Sequence, residues 1–375
     1  MASRSAGRGS ATPIAPAAPR VRDFSGGLGG GLRVDYDART VYDFVFSLSD
    51  DVGTTEDLPA VDRRWIAGAR EEMRALFGET FEMYGATLCI MLAGLAVDRP
   101  EVTTAARFVD LVTDLDDGII VRMVVGEDLR DPERGPLVER ALAGDDEAIE
   151  QLVRRFGEQD PGMDAHKERA KIVAALYRRP EVILGPARGI LAAWLDHFTG
   201  IEDRVRRMIE RDVELRAEDR RTLAPADLIE KTTGGVRFSA DPVVRRVIMA
   251  PSYFSRPYNF LLAADDWRLF GYPIADAALD ASDPLAPPAT VVRFHRAIGD
   301  ETRLRILRLL REKDLYLTEI AQLLELSKPT IKHHLALLRV AGLVTVTEEA
   351  GLTYYSLRRD RLEDAAGELR RFLLD

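Results

Sequence analysis

Cysteine is all but missing from these 375 residues: Cys89 stands alone. No disulfide can close within the chain, which fits a reducing cytoplasm. Histidine is nearly as scarce, with five positions. His166 and His197 have no Cys or His at ligand spacing and read as surface or internally satisfied side chains. Bilayer-length apolar runs are missing too. The stretch YGATLCIMLAGLAV, from Tyr84 to Val97, is too short to cross a membrane and reads as a buried helix. The N-terminus shows no apolar core of a secretion signal, so a cytoplasmic protein away from the membrane is expected. No Gly-x-Ser-x-Gly, His-Glu-x-x-His or dinucleotide fingerprint occurs, which removes the enzyme classes those motifs mark. GGLGGG at 26–31 lacks the preceding strand and the following Lys-Ser/Thr of a phosphate loop and reads as flexible linker.

What is present is the composition of a soluble globular protein, 46% hydrophobic and 30% charged, long enough for two domains. A net charge of −10 argues against nonspecific nucleic-acid binding, but the charge is uneven. Residues 290–375 hold 15 Lys and Arg against 13 Asp and Glu, a balance of +2, which leaves −12 for the rest. An acidic body held off DNA while a locally basic end docks is consistent with that split. Residues 1–32, rich in Ala, Ser, Pro and Gly, are expected to form a disordered tail. Residues 33–282 are expected to form one domain, 283–289 a Pro-rich linker, and 290–375 a second domain.

In the first domain GLRVDY reads as a short strand, and Asp37 caps a helix whose Val41, Phe44, Val45 and Leu48 make an apolar stripe. Helices follow at about 60–77, 80–97, 101–116 and 145–156, and a long pattern runs over 186–222. Asp110, Asp114, Asp116 and Asp117 lack the alternate ligands and closing Glu of a calcium loop and read as a solvated helix end. After Thr233-Gly234-Gly235, VRFS, RRVIMAPSYF and WRLFGYPI read as three strands, the last two separated by the connection Asn259 to Asp266. The fold class expected is mainly α with a small β part (α+β), the first domain being a larger helical unit with a small antiparallel sheet.

The second domain is organised around SKPTIKHHLALLRVAGLV, Ser327 to Val344. Ser327 is a good N-cap, Pro329 is harmless in the first turn, and Gly342 stops the helix. Ile331, Leu335 and Leu338 form one apolar stripe, with Lys332, His333 and Ala336 opposite. Upstream, Asp300 caps ETRLRILRLLREK, and a short helix from Thr318 joins the first through a tight turn at Leu326-Ser327, the spacing of a helix-turn-helix. Downstream, Val344–Thr347 and Thr353–Leu357 read as a hairpin around Glu348-Glu349-Ala350-Gly351, which completes a winged helix-turn-helix. Leu304, Ile306, Leu307, Leu310, Ile320, Leu323, Ile331, Leu335 and Leu338 are its expected core.

The runs AIGDETRLRIL, LTEIAQLLELSKPTIKHHLALLRVAGLV and YYSL resemble the ArsR-type bacterial transcriptional regulators over roughly residues 290–375. The resemblance implies duplex DNA as partner, a homodimer, and DNA contact from Ser327, Lys328, Thr330, Lys332, His333, Arg339 and Arg358. His334 lies between stripe and exposed face, open to packing or to phosphate. Relatives often carry cations in the wing tip, where this chain has Glu348 and Glu349; Arg358 and Arg359 are available to compensate. The resemblance also implies that helices at 290–297 and 361–374 pair across a two-fold axis, the latter through Leu362, Ala366, Leu369 and Leu373. Where such regulators bind metal through Cys-x-Cys, this chain has Tyr316 and Thr318, and its last helix offers Glu363, Asp364 and Glu368 without His. No metal or cofactor is expected.

The first domain is then expected to sense a small-molecule effector or a partner. VIMAPSYFSRPYNF, Val247 to Phe260, sets Ser252, Tyr253, Arg256, Tyr258 and Asn259 beside aromatic faces, as a small-ligand pocket does. The same segment also reads as a strand end packed on helices, its Tyr hydroxyls on backbone partners. The expected protein is a DNA-binding regulator, a repressor rather than an activator, and not an enzyme. The rival is a small-molecule enzyme or partner-binding protein that uses the winged helix for dimerisation or protein contact.

Overall fold

The computed structural model describes residues 32–49, 52, 57–84, 87–158, 165–238, 243–264, 266–280, 287–349 and 352–374. The expected tail, GGLGGG, and most of the Pro-rich linker lie outside these residues. Strand β1 (Arg33–Tyr36) leads into α1 (Thr40–Phe46), α2 (Ala60–Phe77), α3 (Glu79–Tyr84) and α4 (Thr87–Leu92). A 3-10 turn at Ala93–Ala96 precedes α5 (Ala105–Asp114), α6 (Asp117–Val124), α7 (Gly126–Arg130), α8 (Gly135–Leu142) and α9 (Asp146–Glu158). Then come α10 (Ala165–Arg178), α11 (Glu181–Thr199), α12 (Glu202–Leu215), α13 (Ala217–Thr222) and α14 (Pro225–Thr233). Strands β2 (Val236–Arg237), β3 (Arg246–Ser252), β4 (Phe260–Ala264) and β5 (Trp267–Pro273) close the body.

The helices expected at 60–77, 101–116 and 145–156 stand as α2, α5 and α9. The one expected over 80–97 gives way to the 3-10 turn from Ala93, and the pattern over 186–222 divides into α11, α12 and α13, with Pro186 inside α11. Helices α6, α7, α8, α10 and α14 are shorter or more polar and add to them. The carboxylates around Asp114–Asp117 join two helices rather than fray one. Asp116 caps α6 by accepting the Gly118 N–H at 2.9 Å, and Asp117 pairs with Arg188 at 2.7 Å.

The body sheet is mixed, not antiparallel as its strands suggested. Its order is β1-β3-β5-β4, with β3 parallel to both β1 and β5 and only β4 antiparallel. The reason is topological. The helical stretch between β1 and β3 is a crossover, which parallel pairing requires, and β4 takes the connection expected at Asn259–Asp266, skipping one place so that β5 returns beside β3. Both faces are buried. Ile248, Ala250 and Leu269 join the large helical core, whereas Val247, Met249, Phe270 and Tyr272 pack under Ile229 of α14, the period-two division of a doubly covered sheet. Gly271 is required in β5, because a Cβ there would strike the ring of Phe46, itself stacked on Phe260 at 4.6 Å.

The C-terminal module holds α15 (Ala289–Ile298), α16 (Glu301–Leu310), β6 (Leu315–Tyr316), α17 (Leu317–Leu324), α18 (Lys328–Val340), β7 (Val344–Glu349), β8 (Leu352–Leu357) and α19 (Arg359–Leu374). Its core gathers Phe294, Ile306, Leu307, Leu310, Ile320, Leu324, Ile331, Leu335, Leu338 and Leu343. Leu304 and Leu323, expected in that core, are half exposed. Each sits about 110° around its helix from the buried stripe. The wing is not separate from the body: β2 pairs in parallel with β7, Val236 opposite Val346 and Arg237 opposite Thr347. β7 runs through Glu349, two residues past its expected end, and the turn residues 350–351 lie outside the described residues.

Candidate nucleic-acid interface

The helix-turn-helix is set by two local devices. α17 ends at Glu325, the one described non-glycine with a left-handed backbone (φ 55°), and Leu326 donates back to the Ala321 carbonyl at 3.0 Å. That conformation costs a non-glycine roughly 1–2 kcal/mol, an expense the packing of α17 on α18 offsets. Ser327 then caps α18, its hydroxyl accepting the Thr330 N–H at 3.3 Å, with Pro329 in the first turn. Ile331, Leu335 and Leu338 are sealed into the core, and Ser327, Lys328, Thr330, Lys332 and His333 are exposed. The start of α18 therefore presents an N-terminus, two ammonium groups, hydroxyls and an imidazole on one accessible end.

His334 packs. Its ring is half-buried, with Nδ1 3.7 Å from the Asp300 carboxylate and no hydrogen-bond partner. Asp300 caps α16 by accepting the Arg303 N–H at 2.9 Å. That bond holds its carboxyl below the ordinary range, helped by the charges of Arg303 and His334. Arg339 and Arg358 stand apart from the exposed group. Both are half-buried and line a crevice of about 210 Å³ between the winged helix and the body. Arg358 donates to the Gly234 carbonyl at 3.1 Å and to Asp360 at 3.0 Å, and Arg359 donates to the Arg311 carbonyl.

The body side of the crevice is a clamp. Arg256, buried at 1% exposure, donates to the Ile274 carbonyl at 2.6 Å and pairs with Asp276. Asp276 also accepts the Thr290 N–H at the start of α15 at 3.0 Å, and Arg293 of α15 pairs with Asp57. Burial opposes ionisation of Asp276, but Arg256 and Arg293 outweigh it and hold its carboxyl below the usual range. Of the five expected ligand residues, only Arg256 and Asn259 line the crevice. Ser252 and Tyr253 are buried, with hydroxyls engaged by Asp43 and Asp62, and Tyr258 donates its backbone N–H to Ser255. Period and residue type marked this segment; only the chain path through Thr233–Gly235 reveals the crevice, and the double glycine was its one sequence signal.

On α19, Leu362 and Leu373 are exposed, as is Ala366, and Leu369 is half-buried. Arg361 chelates Glu368 at 2.7 and 2.9 Å and lies over the Phe294 ring of α15. Among the described residues no helix is long and apolar enough to cross a membrane.

Residues 300–346 match the family described as bacterial regulatory protein, arsR family. The transcriptional repressor SdpR of Bacillus subtilis is 36% identical over 78 residues, 21% of this chain and 87% of that protein. A cadmium resistance transcriptional regulatory protein, the CadC homolog of Staphylococcus aureus, is 37% identical over 71 residues, 19% of this chain and 59% of its own length. Among solved structures, HlyU from Vibrio cholerae is 33% identical, covers 23% of this chain and 95% of its own, and has a TM-score of 0.20.

Proposed function

The chain belongs, through its C-terminal module, to the arsR family of bacterial regulatory proteins, and on that premise we propose a cytoplasmic, homodimeric repressor that reads duplex DNA through the start of α18. That it is a DNA-binding transcriptional regulator follows from the family; the finer reading rests on one observation. The apolar stripe of α18 is fully buried while Ser327, Lys328, Thr330, Lys332 and His333 are left in solvent. A helix with no outward task does not need its cations and hydroxyls gathered at its free N-terminal end, and a helix laid in a major groove does.

In this reading α19 and α15 pair across a two-fold axis through Leu362, Ala366, Leu369 and Leu373, setting two α18 helices ~34–36 Å apart. The body, residues 33–282, is the regulatory part rather than a catalytic one. It touches the DNA-reading module through the β2–β7 pairing and the Arg256–Asp276–Thr290 clamp. Cadmium is in the name of one relative, but Tyr316 and Thr318 stand at the thiolate positions here, so the signal is not taken to be a soft metal.

The test is selection of bound sequences from a random duplex pool, followed by band shifts with Lys332→Ala and His333→Ala. Each substitution is expected to weaken the selected site by roughly 1–3 kcal/mol, with circular dichroism unchanged. Enrichment of no sequence, or a shift that the double variant leaves as it was, refutes the proposal and favours a protein-contact role for the module.

A further inference from the structure

The crevice between body and winged helix is lined by six cations, Lys231, Arg256, Arg293, Arg339, Arg358 and Arg361, and by one carboxylate, Asp276. Four of those cations are neutralised by carboxylates that do not line it. Lys231 pairs with Asp219 at 2.6 Å, Arg358 with Asp360 at 3.0 Å, Arg361 with Glu368, and Arg293 with Asp57. Each guanidinium has five N–H donors, so a partner on one side leaves others fixed and aimed elsewhere. Arg339 differs: it is half-buried and has no hydrogen-bonded or ion-paired carboxylate among the described residues. A half-buried cation whose donors no carboxylate occupies can take an oxyanion with little further loss of hydration.

A second polar group points the same way. Asn259 donates its amide to the Thr233 carbonyl at 2.9 Å, while its Oδ1 is buried with no donor in reach. An anion that carries no proton, such as sulfate, cannot satisfy an acceptor; a hydroxyl, ammonium or amide N–H can.

We propose that this crevice binds a small metabolite carrying an oxyanion, carboxylate or phosphate, next to a hydrogen-bond donor, and that its occupancy sets how the body holds the winged helix. The oxyanion meets Arg339 and the spare guanidinium donors, and the donor meets Asn259. The walls come from both parts of the chain. Thr232–Gly234, Arg256, Pro257 and Asn259 belong to the body, Arg339–Gly342 and Arg358 to the winged helix. A ligand touching both binds one mutual placement better than another, which is the differential affinity that any effector needs. The regulatory half of this inference rests on the DNA-binding reading above; the binding half does not.

Binding is measured on the full chain without DNA, by calorimetry and thermal shift, at ionic strength matched with chloride. The probes are glycerol 3-phosphate, citrate and sulfate, the last an oxyanion with no proton to donate. Saturable binding of at least one organic anion, fivefold or more tighter than sulfate, is expected. Arg339→Ala should weaken it tenfold or more, and Arg370→Ala, an exposed cation of α19 outside the crevice, should not. If Arg339→Ala fails to fold, Lys231→Ala, at the exposed rim, should weaken binding about threefold. The proposal is overturned if no probe saturates, if sulfate binds as well as the organic anions, or if the crevice variants bind like the parent. It is overturned equally if Arg339→Ala weakens nonspecific duplex binding and leaves the small anions unaffected, since that cation would then serve the DNA backbone. With a bound probe identified, a change in operator affinity on adding it tests the regulatory half alone.

Discussion

Asp43 sits fully buried on α1 and holds the end of β3, accepting from the Ser252 hydroxyl and from the backbone N–H groups of Tyr253 and Phe254 at 3.2 and 3.1 Å. Burial pushes its carboxyl from 3.8 up to about 7, against those three hydrogen bonds, which pull it down. Below about pH 4 the carboxyl is protonated in the folded and unfolded chain alike, and its bonds stabilise the fold without a charge penalty. As pH rises toward 7 the unfolded chain ionises while the folded group keeps its proton, so stability is lost progressively and then levels off. The loss amounts to roughly 4 kcal/mol between the two limits. Asp43→Asn keeps an acceptor and cannot ionise. Other carboxylates, among them Asp276 and Asp300, are held low and change stability in the opposite sense, so the informative quantity is the difference between parent and variant. Urea unfolding at pH 4.5, 6, 7 and 8 should show Asp43→Asn gaining on the parent by roughly 3 kcal/mol across the series. A difference that stays flat within about 1 kcal/mol refutes the reasoning.

Gly235 has φ +122°, and a Cβ there would lie 3.2 Å from Thr345 and 3.3 Å from Arg358; Gly235→Ala should cost about 1–3 kcal/mol and raise amide exchange along β7. The hydroxyls of Thr345 and Thr347 are buried without partners, so Thr345→Val and Thr347→Val should each raise stability by about 1 kcal/mol in denaturant titration. Leu304→Lys, on the exposed side of α16, should change stability by no more than about 0.5 kcal/mol, whereas Leu307→Ala, on its buried side, should cost about 2–5 kcal/mol; equal effects would invalidate the helical phase assigned to α16.

The winged helix was legible because its signals are local. A serine cap, a proline in the first turn, a three-residue stripe and a stopping glycine all fall within Ser327–Gly342, and the wheel that buried Ile331, Leu335 and Leu338 also exposed Lys332 and His333. Leu304 and Leu323 were misplaced by weighing residue type above phase. The direction of the body sheet was not legible, since alternation in RVIMAPS identifies a strand without naming its neighbours, and β1 lies far upstream across the helical stretch. Arg339 illustrates the same limit at the site. It is seven residues after Lys332 and shares its side of the helix, yet the body closes over the last turn of α18 and leaves the first turns open. No period within one helix reports what packs against its end.

The two-residue pairing of β2 with β7 has a consequence for anyone who isolates the DNA-reading module. In the whole chain β7 lies between β2 and β8, so its outer N–H and C=O groups meet Val236, Arg237 and the Gly235 carbonyl. A fragment beginning near Ala289 would lack that cover, and β7 would become a bare edge strand. Bare edges recruit further strands, most readily from identical copies. Such a fragment would tend to self-associate through its wing, at the expense of any two-fold pairing through α19. Restoring residues 225–238 as a separate peptide should suppress that association, because the missing strand then comes from solution instead of from the body.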